Sequence, residues 1–389
     1  MHKFLRLMSY LKELLLMIVL RPAAFVMRKI SPGYRDLWLI GERGNDARDN
    51  GYWFFRYLSE THPEINSCFV ISPGSADYKK VASLGKTVKT GSFLHHLKYY
   101  AADYLIGTHI QPASPDLIIY YHLAHKGIKA RGKQVFLQHG ITYNKMEWLH
   151  GDKLFIDLFV TGAKPEYDFI YNNFGHREGT VKYLGFCRFD NLIRAKSAKK
   201  MILLMPTWRG SKYPSGDAFY NTAFYKSYSS LLKSKRLNEM LEKFGYELVF
   251  YPHVEMQKYI NDFRSEFSRV RIADKSTDDV QALLMDCAVL ITDYSSVFFD
   301  VAYLNKPVIY YQFDEAEFRK YHYSEGYFDY IRDGFGPVCE SEEQLLSSLG
   351  KCLGEDARLS EKYRPRVERF FPLRDDKNSE RTFEAIKGI

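Results

Sequence analysis

The stretch Ala288-Val289-Leu290-Ile291-Thr292-Asp293-Tyr294-Ser295-Ser296-Val297-Phe298-Phe299-Asp300 decides the fold. Residues 288–292 form a short apolar run without polar alternation, the pattern of a strand buried on both faces of a parallel sheet. Asp, Tyr and two Ser then punctuate the chain, and residues 296–304 read as a helix. Strand, polar turn and helix make one βα unit, and the same unit recurs in both directions from here. C-terminal to it lie a strand at 307–312, a helix at 341–353 with Ser341 and Gln344 placed for a capping box, and a last helix at 379–387 with Ser379 as its N-cap. N-terminal to it lie strands at 201–205, 247–251 and 270–272, a helix at 228–244 stopped by Gly245, and a helix at 277–287.

A basic linker, 194–200, separates this half from an earlier series. There, strands are expected at 37–41, 67–72, 104–108, 134–138, 158–162 and 181–184, with helices at 51–60, 92–101 and 165–173. The pattern predicts two doubly wound, Rossmann-like α/β domains, 36–195 and 196–389, whose last helix can cross back to the first domain. A ligand is expected in the cleft that the strand C-termini face.

The 389 residues, 46% hydrophobic and 26% charged, suit two globular domains and exclude dominant disorder. Thirty Tyr and 28 Phe point first to aromatic-rich cores. Five cysteines without a CxxC cluster predict neither a zinc site nor a disulfide framework, which favours a reducing compartment. The net charge of +8 is uneven. Residues 1–35 hold seven basic groups against one acid, Glu13, and so carry +6 of it. A nucleic-acid binder would spread such charge over a folded face, so no nucleic-acid partner is expected. In this arm Phe4, Leu7, Leu11, Leu14, Leu15 and Ile18 recur at helical spacing, with Arg6, Ser9, Lys12 and Glu13 on the other side. The uncharged run 14–20 is too short for a bilayer span, and Arg21-Pro22 with no A-x-A site argues against a signal peptide. Residues 1–35 therefore read as an amphipathic helix, placed either on anionic lipid through residues 1–30 or against the protein body.

Four strand ends carry compact polar motifs. Gln138-His139-Gly140-Ile141-Thr142 displays a histidine suited to general-base work, or a His that caps a loop. Met205-Pro206-Thr207-Trp208-Arg209 delivers a guanidinium for a phosphate or carboxylate, or for a structural ion pair. Tyr251-Pro252-His253 offers a second histidine, a phosphate contact or proton donor on one reading and a loop residue on the other. Thr292, Ser295 and Ser296 can make an anion site or an ordinary helix start. There is no GxxxxGK[ST], no GxGxxG after the first strand, no DxD and no GxSxG, so P-loop, dinucleotide, metal-nucleotide and hydrolase-elbow readings find no support. Asp278-Asp279 and Asp375-Asp376 suit capping better than metal. No metal ligand set and no cofactor is predicted.

In this order the motifs resemble those of the CDP-glycerol glycerophosphotransferase family of teichoic-acid and capsule primases and polymerases. Residues 138–145 resemble its WHGTP-x-K, Gly185-Phe186-Cys187-Arg188-Phe189-Asp190 its GYPRND, and residues 205–209 its APTWR. Pro252-His253 matches its histidine after a strand, and residues 291–300 its ITDYSS-x-x-FD without a gap. Gly336-Pro337-Val338 matches the turn before its terminal helix. Gln138 stands for Trp, Ile141-Thr142 for Thr-Pro and Cys187 for Pro, departures that bear on the acceptor more than the donor.

The resemblance implies a GT-B-like fold and transfer of glycerol phosphate, or another polyol phosphate, from a CDP-alcohol to a lipid-linked or glycan acceptor, releasing CMP. It implies His139 as the base and His253 as a contact to the diphosphate. Arg209, Thr292, Ser295 and Ser296 would bind that diphosphate, supported by Asp293, Asp300 and Lys145. An undecaprenyl-linked acceptor would place the protein at the cytoplasmic face of the membrane. CDP-ribitol is the alternative donor. A nucleotide-sugar glycosyltransferase and a catalytically dead envelope scaffold are the other readings.

Overall fold

Among the described residues, thirteen short strands form two all-parallel sheets. The computed structural model describes residues 2–195, 198–210, 213–321 and 325–389. Two residues of the 194–200 linker, Lys196 and Ser197, and the side chains of Lys3, Phe4 and Arg6 lie outside the described set. In chain order the first seven strands are β1 (Trp38–Gly41), β2 (Ser67–Val70), β3 (Thr87–Val88), β4 (Tyr104–Gly107), β5 (Lys133–Phe136), β6 (Leu158–Thr161) and β7 (Val181–Tyr183). They lie in the order β3-β2-β1-β4-β5-β6-β7. The second sheet comprises β8 (Met201–Leu204), β9 (Glu247–Phe250), β10 (Val270–Ile272), β11 (Val289–Thr292), β12 (Val308–Tyr311) and β13 (Val338–Cys339), in the order β10-β9-β8-β11-β12-β13. Each sheet starts in its middle, winds to one edge and returns to wind the other way. The doubly wound expectation therefore holds, with switch points at β1/β4 and β8/β11. β1, β6, β8, β11 and β12 are buried along their whole length, as strands covered by helices on both faces must be.

Two compact units divide the chain. One comprises Met1–Ile141, Glu147–Asn191 and Asp375–Ile389, the other Thr142–Met146 and Leu192–Arg374. The helix Asn378–Lys387 belongs to the first unit. Its N-cap position is Lys377 rather than the expected Ser379. Asp190 supplies the capping carboxylate from a distance: Oδ1 accepts from the Asn378 N–H and Oδ2 from the Ser379 N–H, both at 2.8 Å.

The expected helix 228–244 is two helices, Ala223–Leu232 and Lys235–Phe244. Thr222 caps the first through the Tyr225 N–H, and Ser234 leaves helical geometry at ψ 115° before the second. The break lets Leu231 and Leu232, then Leu237 and Leu241, each reach the core. Gly245 ends the second helix at φ +71°, as expected. Helix 277–287 is shorter, Val280–Asp286, and Asp279 caps it through the Ala282 N–H. The aromatic-core expectation is met in the second unit, where Tyr143, Phe298, Phe299, Phe328, Tyr330 and Phe335 are all buried. Tyr143 Oη donates to the Tyr294 carbonyl and lies 5.6–5.7 Å, ring to ring, from Phe298, Phe299 and Phe328.

The N-terminal helix α1 (His2–Ile30) packs on the helix Phe93–Ala101 of the first unit. The one-faced pattern needs correction. Met17, Leu20 and Ala24 are buried, whereas Leu7, Leu11, Leu15, Ile18, Val19 and Phe25 are exposed, so α1 is apolar on two faces. Glu13, expected on the polar side, is buried and bonded to His96 Nε2 at 2.9 Å. Arg28 pairs with Asp103. Among the described residues no helix is long and apolar enough to cross a membrane.

Candidate active site

In the first unit His139 follows β5. The chain turns at Gln138, a non-glycine residue at φ +57°, and such a conformation persists only when its surroundings hold it. Gln138 is fully packed, and its Nε2 donates to the Val160 carbonyl at 2.8 Å and to Glu166 Oε1 at 3.1 Å. A Trp, with its single indole N–H, could not make both bonds, so the departure from the family motif suits this turn. Asn50, also buried, donates to the Leu137 and Gln138 carbonyls. Its Oδ1 accepts from the Arg188 N–H, and Arg188 Nη1 reaches Asp49 at 3.0 Å and the His139 carbonyl at 3.3 Å. The GYPRND-like stretch therefore braces the histidine loop with Arg188 and caps the last helix with Asp190.

His139 keeps part of its surface in contact with solvent. Its Nδ1 lies 3.2 Å from the Thr108 carbonyl, which can only accept, so Nδ1 carries the proton and Nε2 holds the lone pair. Burial among protein atoms, only partly offset by Asp49, pushes its pKa below the ordinary imidazole value. A neutral imidazole with a free Nε2 lone pair is a base at neutral pH.

In the second unit His253 follows β9. Its Nδ1 accepts the Glu255 N–H at 3.2 Å, which puts the ring proton on Nε2. The ring stacks on Trp208 at 6.2 Å and 9°. His253 is thus fixed as an N–H donor, the opposite tautomer from His139.

Arg209 is not where a ligand contact was expected. It is fully buried. Nε and Nη2 bind Asp314 at 2.8 and 3.1 Å, and Nη1 binds the Thr207 carbonyl at 2.7 Å and Asp293 at 2.7 Å. The two carboxylates hold it cationic against the cost of burial. Asp293 also accepts from the N–H groups of Thr207 and Tyr294 and from Tyr228 Oη. Thr292 is buried and its hydroxyl donates to the Met205 carbonyl at 2.6 Å. The expected diphosphate contacts Arg209 and Thr292 are therefore corrected to a buried clamp. That clamp, with Asp293, joins the end of β8 to the end of β11 at the switch point. Ser295 and Ser296 remain half-buried beside it, and neither hydroxyl has a hydrogen-bond partner among the described residues. Asp300 is buried and Lys145 is exposed. Among the described residues no group of three His, Cys, Asp or Glu could hold a metal ion.

Sequence reasoning passed over Asn50, Arg43 and His109. The charged loop 42–50 and the Thr108-His109 pair both follow strands, the same signal that marked His139 and His253.

Two parallel sheets, one in the order 3-2-1-4-5-6-7 and one in the order 3-2-1-4-5-6, each presenting a histidine beyond a strand end, define a GT-B-like α/β protein. Residues 24–388 match the family CDP-Glycerol:Poly(glycerophosphate) glycerophosphotransferase, and the chain belongs to it. It is 33% identical over 368 residues to the minor teichoic acid biosynthesis protein GgaB of Bacillus subtilis, covering 90% of this chain and 40% of that one. It is 31% identical over 235 residues to the teichoic acid poly(ribitol-phosphate) polymerase of Bacillus spizizenii, covering 59% and 33%. The chain thus spans less than half the length of both. Among solved structures, the wall teichoic acid polymerase TagF shares the fold at a TM-score of 0.66 and 16% identity, covering 100% of this chain and 98% of that one.

Proposed function

We propose that this protein transfers a polyol phosphate, glycerol phosphate first and ribitol phosphate second, from a CDP-alcohol to a hydroxyl of a lipid-linked or glycan acceptor. His139 Nε2 takes the proton of the acceptor hydroxyl. That oxygen attacks the β-phosphorus, the bond from phosphorus to the bridging oxygen breaks, and CMP leaves with the electron pair. His253, fixed as a donor, gives its Nε2–H to a diphosphate oxygen, and Ser295 and Ser296 supply hydroxyls to the same group. Charge stabilisation by donors already in place is what phosphoryl transfer asks of a protein. The observation that carries this reading is the pair of opposite tautomers, one histidine held as acceptor and one as donor. Family membership and the teichoic-acid relatives support the substrate class.

The exposed apolar face of α1, in a segment rich in Lys and Arg, supports a place on anionic lipid at the cytoplasmic face of the membrane, where an undecaprenyl-linked acceptor would be met.

The test is CMP release from CDP-glycerol and from CDP-ribitol with a lipid-linked acceptor analogue, wild type beside His139→Ala. Acceptor-dependent CMP from one donor, lost in the variant, is expected. Release of a nucleotide from a UDP-sugar, with neither CDP-alcohol consumed, would overturn the reading in favour of a glycosyltransferase.

A further inference from the structure

The switch point of the first sheet has no part in the mechanism above. Doubly wound sheets bind ligands in the crevice beyond such a point. Here Gly41 and Gly107 face each other in register at the ends of β1 and β4. A Cβ on Gly107 would sit 2.7 Å from the Gly41 carbonyl oxygen and 3.2 Å from the Ala113 nitrogen. The two bare positions let residues 112–113 cross close over the strand ends. Beside them lies a cavity of about 330 Å³, with Glu42, Arg43, Thr90, His109, Gln111 and Leu117 in its lining. That is the lower end of the roughly 300–1,000 Å³ of small-ligand sites, room for one polyol or sugar unit.

The cavity is built rather than incidental. Glu42 ties its loop down by accepting from the N–H groups of Arg48, Asp49 and Tyr52. The Gly44 carbonyl accepts from the Ser72 N–H and from Thr90 Oγ1. The loop so fixed presents Arg43, which is exposed and has no hydrogen-bond or ion-pair partner among the described residues. His109 lies between this cavity and the base. Its ring stacks on His139 at 5.5 Å and 12°, and its Nδ1 is 3.0 Å from Thr108 Oγ1. Burial, with the neighbouring His139 and Arg43, holds its pKa down to about 3, so it is neutral at working pH. The lining also includes Leu117, an exposed apolar side chain followed by exposed Ile118.

We propose that this cavity is the acceptor subsite, taking the terminal phosphodiester-bearing polyol unit with Arg43 on the phosphodiester and His109 as the positioning residue that sets the unit beside His139. One guanidinium matches the single charge of a phosphodiester, and the apolar wall suits an acceptor that arrives on a lipid. The inference rests on the transferase reading above but is tested apart from it.

The probe is a synthetic tri(glycerol phosphate), titrated calorimetrically into wild type, Arg43→Ala, Arg43→Lys and His109→Gln, with CDP-glycerol titrated in parallel. Arg43→Ala is expected to weaken the oligomer about tenfold or more, as loss of a charged hydrogen bond does, and Arg43→Lys to restore part of it. His109→Gln is expected to raise the acceptor KM while leaving CDP-glycerol affinity unchanged. Unchanged oligomer affinity in Arg43→Ala, an equal loss of donor affinity, or no oligomer binding by wild type would each overturn the subsite. Oligomer binding that depends on Arg43, in a protein that consumes no CDP-alcohol, would uphold the subsite and overturn the transferase reading instead.

Discussion

Removing Arg209 should unfold the second unit more readily before it weakens the donor. Arg209→Met keeps an unbranched apolar side chain in a space bordered by Phe224 and Tyr294, whose ring centres lie 4.9 and 5.3 Å from the guanidinium carbon. The charge is what disappears. Asp293 keeps three donors, Thr207 N–H, Tyr294 N–H and Tyr228 Oη. Asp314 loses both short bonds and keeps Tyr294 Oη at 3.5 Å, too long to compensate a buried carboxylate. Breaking a buried ion pair by removing one partner costs about 3–5 kcal/mol. At roughly 2–4 °C per kcal/mol for a unit of this size, the melting temperature should fall by about 6–20 °C. Asp314→Asn in the same background should recover part of that loss, a coupling of about 1–3 kcal/mol between touching residues. Calorimetric melting of the four proteins of the cycle, with CDP-glycerol affinity measured well below each melting temperature, separates the two roles. A variant that melts within about 2 °C of wild type, a change no larger than ordinary surface substitutions give, but binds CDP-glycerol far more weakly would refute the clamp and return Arg209 to the diphosphate.

Further outcomes are expected at three residues, His139, His253 and Glu13. His139→Asn should lower transfer about 10²–10⁴-fold with melting unchanged. Because burial lowers the His139 pKa, the acid fall of the wild-type rate, as protonation fills Nε2, should lie below the pH at which an ordinary imidazole titrates. His253→Gln, which keeps a side-chain N–H, should retain more activity than His253→Ala, measured as kcat at saturating donor. Although burial opposes ionisation of Glu13, its hydrogen bond to His96 holds the pKa below 4.5. The folded state thus gains stability that is full above that value and lost as pH falls through the lower, folded one. Protection of the α1 amides, relative to the exchange of an unfolded chain at the same pH, should therefore fall in acid, and Glu13→Ala should lower it at pH 7.

What could be read from the sequence was whatever a local run encodes. The strand ends at His139, Arg209, His253 and Thr292 were visible because an apolar run stops at a polar motif, and the doubly wound order follows from repeating that unit. The fate of Arg209 was not visible. Its partner Asp314 lies 105 positions away, and an arginine beside a strand end reads the same whether it faces a ligand or a buried carboxylate. The second apolar face of α1 was hidden for a related reason. Met17, Leu20 and Ala24 continue a helical stripe, but only the packing partner tells which of two apolar stripes is inward. The break at Ser234 escaped because Lys and Ser are tolerated inside helices, and burial of leucines on both sides of the break decides it.

The two histidines show why residue type alone could not assign roles. Both follow a strand, and both are preceded by a residue that fixes the turn, strained Gln138 in one case and Pro252 in the other. Their difference lies in what each Nδ1 meets. A carbonyl can only accept, so Thr108 makes His139 a base; a backbone N–H can only donate, so Glu255 makes His253 a donor at Nε2. Neither partner's side chain matters to this, since both contacts are made by backbone atoms. Substituting Thr108 or Glu255 should therefore leave the tautomers in place, whereas a change that shifts the backbone, such as Gln138→Gly relaxing the turn at φ +57°, should scramble the His139 tautomer. Imidazole ¹⁵N shifts read this directly. They should report the proton on Nδ1 of His139 and on Nε2 of His253 in wild type, and a mixture at His139 alone in Gln138→Gly. An unchanged His139 tautomer in that variant would mean that the strained turn does not hold the base in place.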